Sequence, residues 1–287
     1  MDFIQKRKPI FLGTEIYSRL AQSDLGIAKA LQMGTRENFL GVDAAECYGD
    51  GSIEKAIGDF LHSSNDNFKV CTKFGHVNVE GSLQESFSAV SVKQQLKLSL
   101  KNLARSSIDV YYFHSGSNAQ FLQTDMWDYL QLQKTRGVIK NLGLSLKHEL
   151  VKNRDNVQIK QASKFGISVV QTVFNPLNQQ SLEYVIHSAR TEGLKIIGRM
   201  PLSKGLIPKM SIEDLEQIIS PDSEVKELIT EYWDKCKFGK NSLPVAVKIG
   251  LTLNWCLKQV DAVVLAHSSI DQLVMNSRVI EAISFKD

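Results

Sequence analysis

Short β-branched and aromatic runs alternate with segments of helical period along all 287 residues, and this alternation restricts the fold more than any other feature. Strands are predicted at 11–17 (FLGTEIY), 39–45 (FLGVDAA), 69–75 (KVCTKFG), 108–114 (IDVYYFH), 141–146 (NLGLSL), 169–175 (VVQTVFN), 195–201 (KIIGRMP) and 262–268 (AVVLAHS). Helices are predicted near 23–33, 52–62, 91–104, 124–136, 157–165, 181–192, 244–258 and 270–283. Start signals support several of them: Ser52 with Glu54 behind it, Ser181, and Asp271. Strand–helix units of this number in one chain of this length imply an α/β fold closed as a (βα)8 TIM barrel, one domain over 1–287. An open, doubly wound sheet would carry a Gly-x-Gly-x-x-Gly turn after its first strand, and the sequence has none. Residues 205–243 exceed what one βα connection needs. They are predicted as an inserted loop with short helices beside the barrel mouth.

Bulk properties exclude several classes of function. With 34 basic and 31 acidic residues the net charge is +3 and no basic stripe forms, which argues against nucleic acid as the main partner but permits a local anion site. No run approaches the roughly 18 apolar residues of a membrane span, and the first residues lack the apolar core of a signal peptide. Cys47, Cys71, Cys236 and Cys256 show no CxxC spacing and no histidine at ligand spacing. They read as reduced thiols of a cytoplasmic protein without a metal, a monomer or a small homo-oligomer.

In such a barrel the C-terminal strand ends build the active site, so the ionisable residues found there are the candidates. The second strand ends in GVDAAECYG, offering Asp43, Glu46 and Tyr48; the third offers Lys73 and the fourth His114. A lysine following Val70 and Cys71 on a barrel strand needs a carboxylate partner, and Asp43 on the neighbouring strand suits. Taken singly, Asp43 can end a turn, Tyr48 can pack, and His114 can be a satisfied core histidine. A buried lysine is rare, and four such residues at adjacent strand ends are hard to assign to packing. Lys73, kept charged by Asp43, is expected to lower the Tyr48 pKa, while His114 hydrogen-bonds a carbonyl oxygen. Such a site protonates an alkoxide as it forms, the proton half of aldehyde or ketone reduction. A cofactor must bring the hydride, because no side chain does. Glu46 and Glu54 are assigned structural roles.

The block GVDAAECYGDGSIEKAIGDFL, with VCTKFG and IDVYYFH, resembles the aldo-keto reductase family, and the likeness runs over nearly the whole chain. The resemblance implies a barrel, a tetrad of Asp43, Tyr48, Lys73 and His114 with Tyr48 as general acid, a small carbonyl substrate, and NADPH as the usual hydride donor. It also implies a nicotinamide site at Ser145 and Gln171, followed by the block GRMPLSKG with Arg199, Pro201, Leu202, Lys204 and Gly205. The adenosine end would be LAHSSIDQLVMNS, with Ser268, Ser269, Gln272 and Asn276 before and on a helix start. Three positions depart from the family pattern. Leu146 replaces an asparagine, Arg199 replaces a stacking aromatic whose place its guanidinium plane can take, and Ala266 replaces a glycine. No Lys or Arg stands where the 2′-phosphate is commonly bound, so NADH is open beside NADPH.

An open pocket for a sugar-like or small polar carbonyl is expected, because the loop after His114 is short and the chain stops soon after its last helix. Glu15, Tyr17, Phe74 and Trp233 are the candidate lining residues. Two other readings stand beside reduction. One is a family-related regulatory subunit that senses the cofactor with little turnover; the other is an aldolase-type barrel using Lys73 as a Schiff base.

Overall fold

Strands that are apolar on both faces are stable only where both faces are covered, and every barrel strand here has helices outside and side chains within. The computed structural model describes residues 8–18, 26–36, 39–64, 68–152, 156–220, 222–237 and 239–283. Its strands are β1 (Lys8–Gly13), β2 (Phe39–Asp43), β3 (Lys69–Phe74), β4 (His76–Val79), β5 (Ser82–Glu85), β6 (Ile108–His114), β7 (Ile139–Ser145), β8 (Ile167–Val173), β9 (Lys195–Arg199) and β10 (Ala262–Leu265). Eight of them close a parallel barrel in the order β1-β10-β9-β8-β7-β6-β3-β2. Strands β4 and β5 form a separate antiparallel hairpin.

The helices are α1 (Ile27–Arg36), α2 (Ser52–Ser63), α3 (Ala89–Asn102), α4 (Asn118–Phe121), α5 (Thr124–Thr135), α6 (Val157–Lys160), α7 (His187–Thr191), α8 (Ile212–Ile218), α9 (Ser223–Lys235), α10 (Leu243–Leu257) and α11 (Ile270–Ala282). Segment 205–243 carries α8 and α9, and α9 packs on α10 and α11. Among the described residues no helix is long and apolar enough to cross a membrane.

Several sequence expectations need correction. The first strand lies at Lys8–Gly13 and not 11–17; Glu15–Ser18 is a short 3-10 turn, so Tyr17 is off the sheet. The last strand stops at Leu265, three residues before the predicted end. The segment 157–165 splits into α6 and a 3-10 turn over Ser163–Phe165. The segment 181–192 opens as a π-helix over Leu182–Ile186 before α7, and the Ser181 hydroxyl donates to the Val173 carbonyl and does not cap the helix. Ser269, and not Asp271, caps α11. The predicted start at 23 for the first helix lies partly outside the described residues, which begin again at 26. The hairpin of β4 and β5 was not expected. It turns through Glu80 and Gly81, both at positive φ as a tight hairpin of two central residues requires.

Below the mouth, Phe11, Cys71, Tyr112, Val169, Ile197 and Val264 fill the barrel interior. At the opposite end Asp109 clamps neighbouring strands. Its carboxylate, 1% exposed, accepts from the Val70 amide at 3.0 Å and pairs with Lys140 at 3.0 Å and Lys69 at 3.6 Å. The stabilising charge network is thus set apart from the mouth, which is free to carry chemistry.

Candidate active site

Period two along the strands carries the interior filling upward into the mouth. Two residues beyond the interior-facing Cys71, Tyr112, Val169 and Ile197 come Lys73, His114, Gln171 and Arg199, all lining one cavity of ≈ 980 Å³. Ser145 is in register with both His114 and Gln171, and Asp43 ends β2 beside β3. Gly41 permits that approach, since a Cβ there would lie 2.1 Å from the Lys69 carbonyl oxygen.

Lys73 is 2% exposed, and its Nζ donates to Asp43 Oδ1 at 2.6 Å, to the Ala44 carbonyl at 2.7 Å and to Tyr48 Oη at 3.3 Å. The phenol reaches this cation from a loop, not a strand. Gly49, Asp50 and Gly51 all take left-handed φ, a sequence of turns that two glycines make affordable. Asp50 is tied to the hairpin by the Asn78 amide at 2.8 Å. Glu54, fully buried, accepts from Thr72 at 2.6 Å and Asn102 at 3.3 Å, fixing α2 against β3. Ser52 therefore begins α2 without capping it, Gly51 taking the cap position.

The fourth expected residue, His114, is half-buried, with its ring 6.1 Å from that of Tyr48 and 4.8 Å from that of His76 on the hairpin. Its Nδ1 faces the Cys47 sulfur at 3.9 Å. A thiol donating there leaves the proton on Nε2, the tautomer able to donate to a substrate oxygen.

Burial dominates the electrostatics. It pushes the Tyr48 phenol up to about 12, against the downward pull of Lys73. Lys73 acts on the phenol in the expected downward direction, but the cation offsets only part of the desolvation, so the net shift is upward. Burial also pulls Lys73 down, yet the Asp43 charge and Tyr48 outweigh it and hold the ammonium above its ordinary value. His114 is held well below its ordinary value by burial, then Lys73, His76 and Arg199, and is neutral.

Glu46, 9% exposed with Oε2 unpartnered, is pushed up to about 7 by burial and by the charges of Glu54 and Asp50. From the ordinary carboxylate value, about 4.3, to about 7 the unfolded chain releases a proton that the folded protein keeps, so stability falls with rising pH across that window. Below it both states are protonated and above it both are ionised. Glu46→Gln removes this loss. Its stability relative to wild type is expected to be about 3 kcal/mol better at pH 8 than at pH 4 in urea denaturation. Equal differences at the two pH values would contradict the assignment.

The expected cofactor residues divide. Ser145, Gln171, Arg199, Pro201, Leu202, Lys204, Gly205, Ser268, Gln272 and Asn276 all line the cavity. Ser269 does not; its hydroxyl accepts from the Gln272 amide at 3.2 Å as the cap of α11. Gln171 is turned toward Asp43, donating to Oδ2 at 2.7 Å while accepting from Ser145 at 3.1 Å. A buried carboxylate with Lys73 on one oxygen needs a donor on the other. Ser145, Gln171, Asp43, Lys73 and Tyr48 are thereby one hydrogen-bonded chain.

Of the four candidate substrate residues only Glu15 lines the cavity. Tyr17, Phe74 and Trp233 are buried in the core between barrel and helices, Phe74 against Phe87, Tyr111, Phe113 and Trp127. Ile16, Met200, Lys209, Val264 and Met275 line it instead. Alternation along β10 carried the signal for Val264, whereas nothing local in the sequence marked Met200 or Met275.

Residues 12–287 match the sequence pattern of the family described as the Aldo/keto reductase family. The oxidoreductase YqkF of Bacillus subtilis (strain 168) is 24% identical over 269 residues, spanning 92% of this chain and 83% of that protein. The aldo-keto reductase yakc of Schizosaccharomyces pombe, whose name carries NADP(+), is 28% identical over 175 residues, 58% of this chain and 48% of that one. Among solved structures, aldo-keto reductase AKR11C1 from Bacillus halodurans in its holo form shares the fold with a TM-score of 0.71 at 20% identity, covering 97% of this chain and 88% of its own. With a closed eight-stranded barrel and a family match over nearly its whole length, the chain belongs to the aldo/keto reductase family of NAD(P)H-dependent oxidoreductases.

Proposed function

We propose that the protein reduces a small polar aldehyde or ketone to its alcohol, with Tyr48 as proton donor and NADPH as the preferred hydride source. The observation that carries this reading is the chain Asp43–Lys73–Tyr48 in the cavity floor, with distances of 2.6 and 3.3 Å. With its pKa up at about 12, Tyr48 holds its proton through the physiological range. Once negative charge develops on a substrate oxygen, the adjacent ammonium stabilises the phenolate that proton transfer leaves behind. Neutral His114 orients the same oxygen by donating to it, and Asp43 keeps Lys73 charged. Solvent returns the proton to Tyr48 after turnover.

The residues fit a nicotinamide dinucleotide. The cavity runs from the floor to the N-terminal end of α11, with Lys204 and Gly205 between. A Cβ at Gly205 would meet nothing within 4 Å, so the space above this backbone is open. The Ser145 oxygen and the second Gln171 N–H, beyond the bonds they make with each other and with Asp43, remain as an acceptor and a donor of the kind a carboxamide requires. When bound, such a dinucleotide would supply a hydride for the carbonyl carbon, and the residues of the chain bind, orient and protonate the substrate. The NADP(+) in the name of yakc supports the phosphorylated form.

A Schiff base at Lys73 requires a depressed lysine pKa, and the Asp43 pairing works in the opposite sense. Fluorescence titration with NADPH and NADH, followed by dinucleotide oxidation over a panel of aldehydes, tests the proposal. Binding in the micromolar range and measurable turnover are expected, with tighter binding of NADPH. Absence of binding by both dinucleotides contradicts it, and binding without turnover on any aldehyde favours a sensing subunit.

A further inference from the structure

The charged floor of the cavity holds Lys73, Arg199 and Asp43. Lys73 and Asp43 pair at 2.6 Å and cancel. Arg199 has no such partner. Its guanidinium donates to the Leu146 carbonyl at 3.2 Å and toward the Met200 sulfur at 3.5 Å, and its Nε is buried and unpartnered. It forms no ion pair within 4.0 Å with any carboxylate among the described residues, although the charges of Tyr48, Asp43 and Glu15 act on it. A carbonyl and a thioether, both neutral, stand where a counter-ion is needed, so one positive charge of the floor is uncompensated.

The barrel order decides what this charge meets. Strand β9 lies four places from β3 in both directions around the closed barrel, so Arg199 stands across the mouth from Lys73 and Tyr48. A carbonyl oxygen held by Tyr48 and His114 leaves its carbon to be approached from the other wall, which is made by Ser145 on β7, Gln171 on β8 and Arg199 on β9. A hydride-bearing ring, were it to bind between substrate and that wall, would face the guanidinium.

Nicotinamide is neutral when reduced and cationic when oxidised. Resting on the carbonyl-reductase reading above, we propose that Arg199 is a redox-state selector: it makes the site hold the reduced dinucleotide more tightly than the oxidised one. The arrangement favours carbonyl reduction over alcohol oxidation and speeds release of the spent dinucleotide. Two unit charges several ångströms apart in a partly screened site correspond to about a tenfold difference in affinity.

The test is the ratio of dissociation constants, oxidised over reduced, measured by tryptophan fluorescence for wild type, Arg199→Lys and Arg199→Met. Both phosphorylated and non-phosphorylated dinucleotides are used, without substrate, and circular dichroism checks each fold. Arg199→Gln serves if the methionine variant does not fold. The ratio is expected to exceed one in wild type, to fall about tenfold in the neutral variant, and to stay within about threefold of wild type in Arg199→Lys. If both forms bind and the ratio is unchanged in the neutral variant, including equal weakening of both, the inference is overturned and the reductase reading stands. If neither form binds wild type, both fall together.

Discussion

Tyr48→Phe is expected to lower the turnover of aldehyde reduction by roughly 10²–10⁴-fold while leaving the dinucleotide dissociation constants within about twofold. Among the described residues the hydroxyl is the one phenolic group hydrogen-bonded to Lys73, at 3.3 Å, and the ring that carries it is kept. Loss of this oxygen removes one weak bond to an ammonium that retains Asp43 and the Ala44 carbonyl, so stability changes by no more than about 1 kcal/mol. Steady-state kinetics, titration and a thermal melt on the same preparation separate the three quantities. Full turnover in Tyr48→Phe would remove the phenol from the role of acid and leave the barrel intact.

Lys73→Met has a second, different signature. It leaves Asp43, 6% exposed, with Gln171 as its remaining side-chain donor and no cation. Removing one partner of a buried pair costs about 3–5 kcal/mol, which for a chain of this size lowers Tm by about 10 °C. Turnover falls as steeply as in Tyr48→Phe, because the phenolate loses its stabilising charge. The double variant Asp43→Asn, Lys73→Met removes the unpaired charge as well. It is expected to regain most of the lost stability and none of the turnover, so the cycle separates what the pair does for the fold from what it does for chemistry. Equal stability of Lys73→Met and wild type would mean that Asp43 is not held by Lys73.

These expectations rest on features that the sequence discloses unevenly. The barrel was legible because parallel strands buried on both faces read as unbroken apolar runs, and β2 and β8 are buried at every position. The Lys73–Asp43 pairing was legible because a lysine following Val70 and Cys71 on a barrel strand has few places to put its charge. The hairpin of β4 and β5 was not, since Ser82–Glu85 is exposed throughout and no core pattern marks it. The aromatic residues Tyr17, Phe74 and Trp233 were misassigned as pocket residues. Proximity to a strand end, for Tyr17 and Phe74, or to the inserted segment, for Trp233 on α9, does not say on which side of the wall a residue falls, and all three pack in the core. The Tyr48 pKa depends on a difference between desolvation and one nearby cation, and only the cation can be read from the chain. The second hydrogen bond of Gln171 required knowing that the far oxygen of Asp43 lacked a donor.

The most direct measurement of the central claim follows the hydride itself. Wild-type protein is incubated with an aldehyde and NADPH carrying deuterium at both C4 positions of the nicotinamide, and the alcohol is analysed by mass spectrometry. One deuterium on the former carbonyl carbon, and loss of that product in Tyr48→Phe with dinucleotide binding retained, is the predicted result. Dinucleotide binding with no deuterated alcohol from any aldehyde or ketone tested would contradict the assignment of this site to carbonyl reduction.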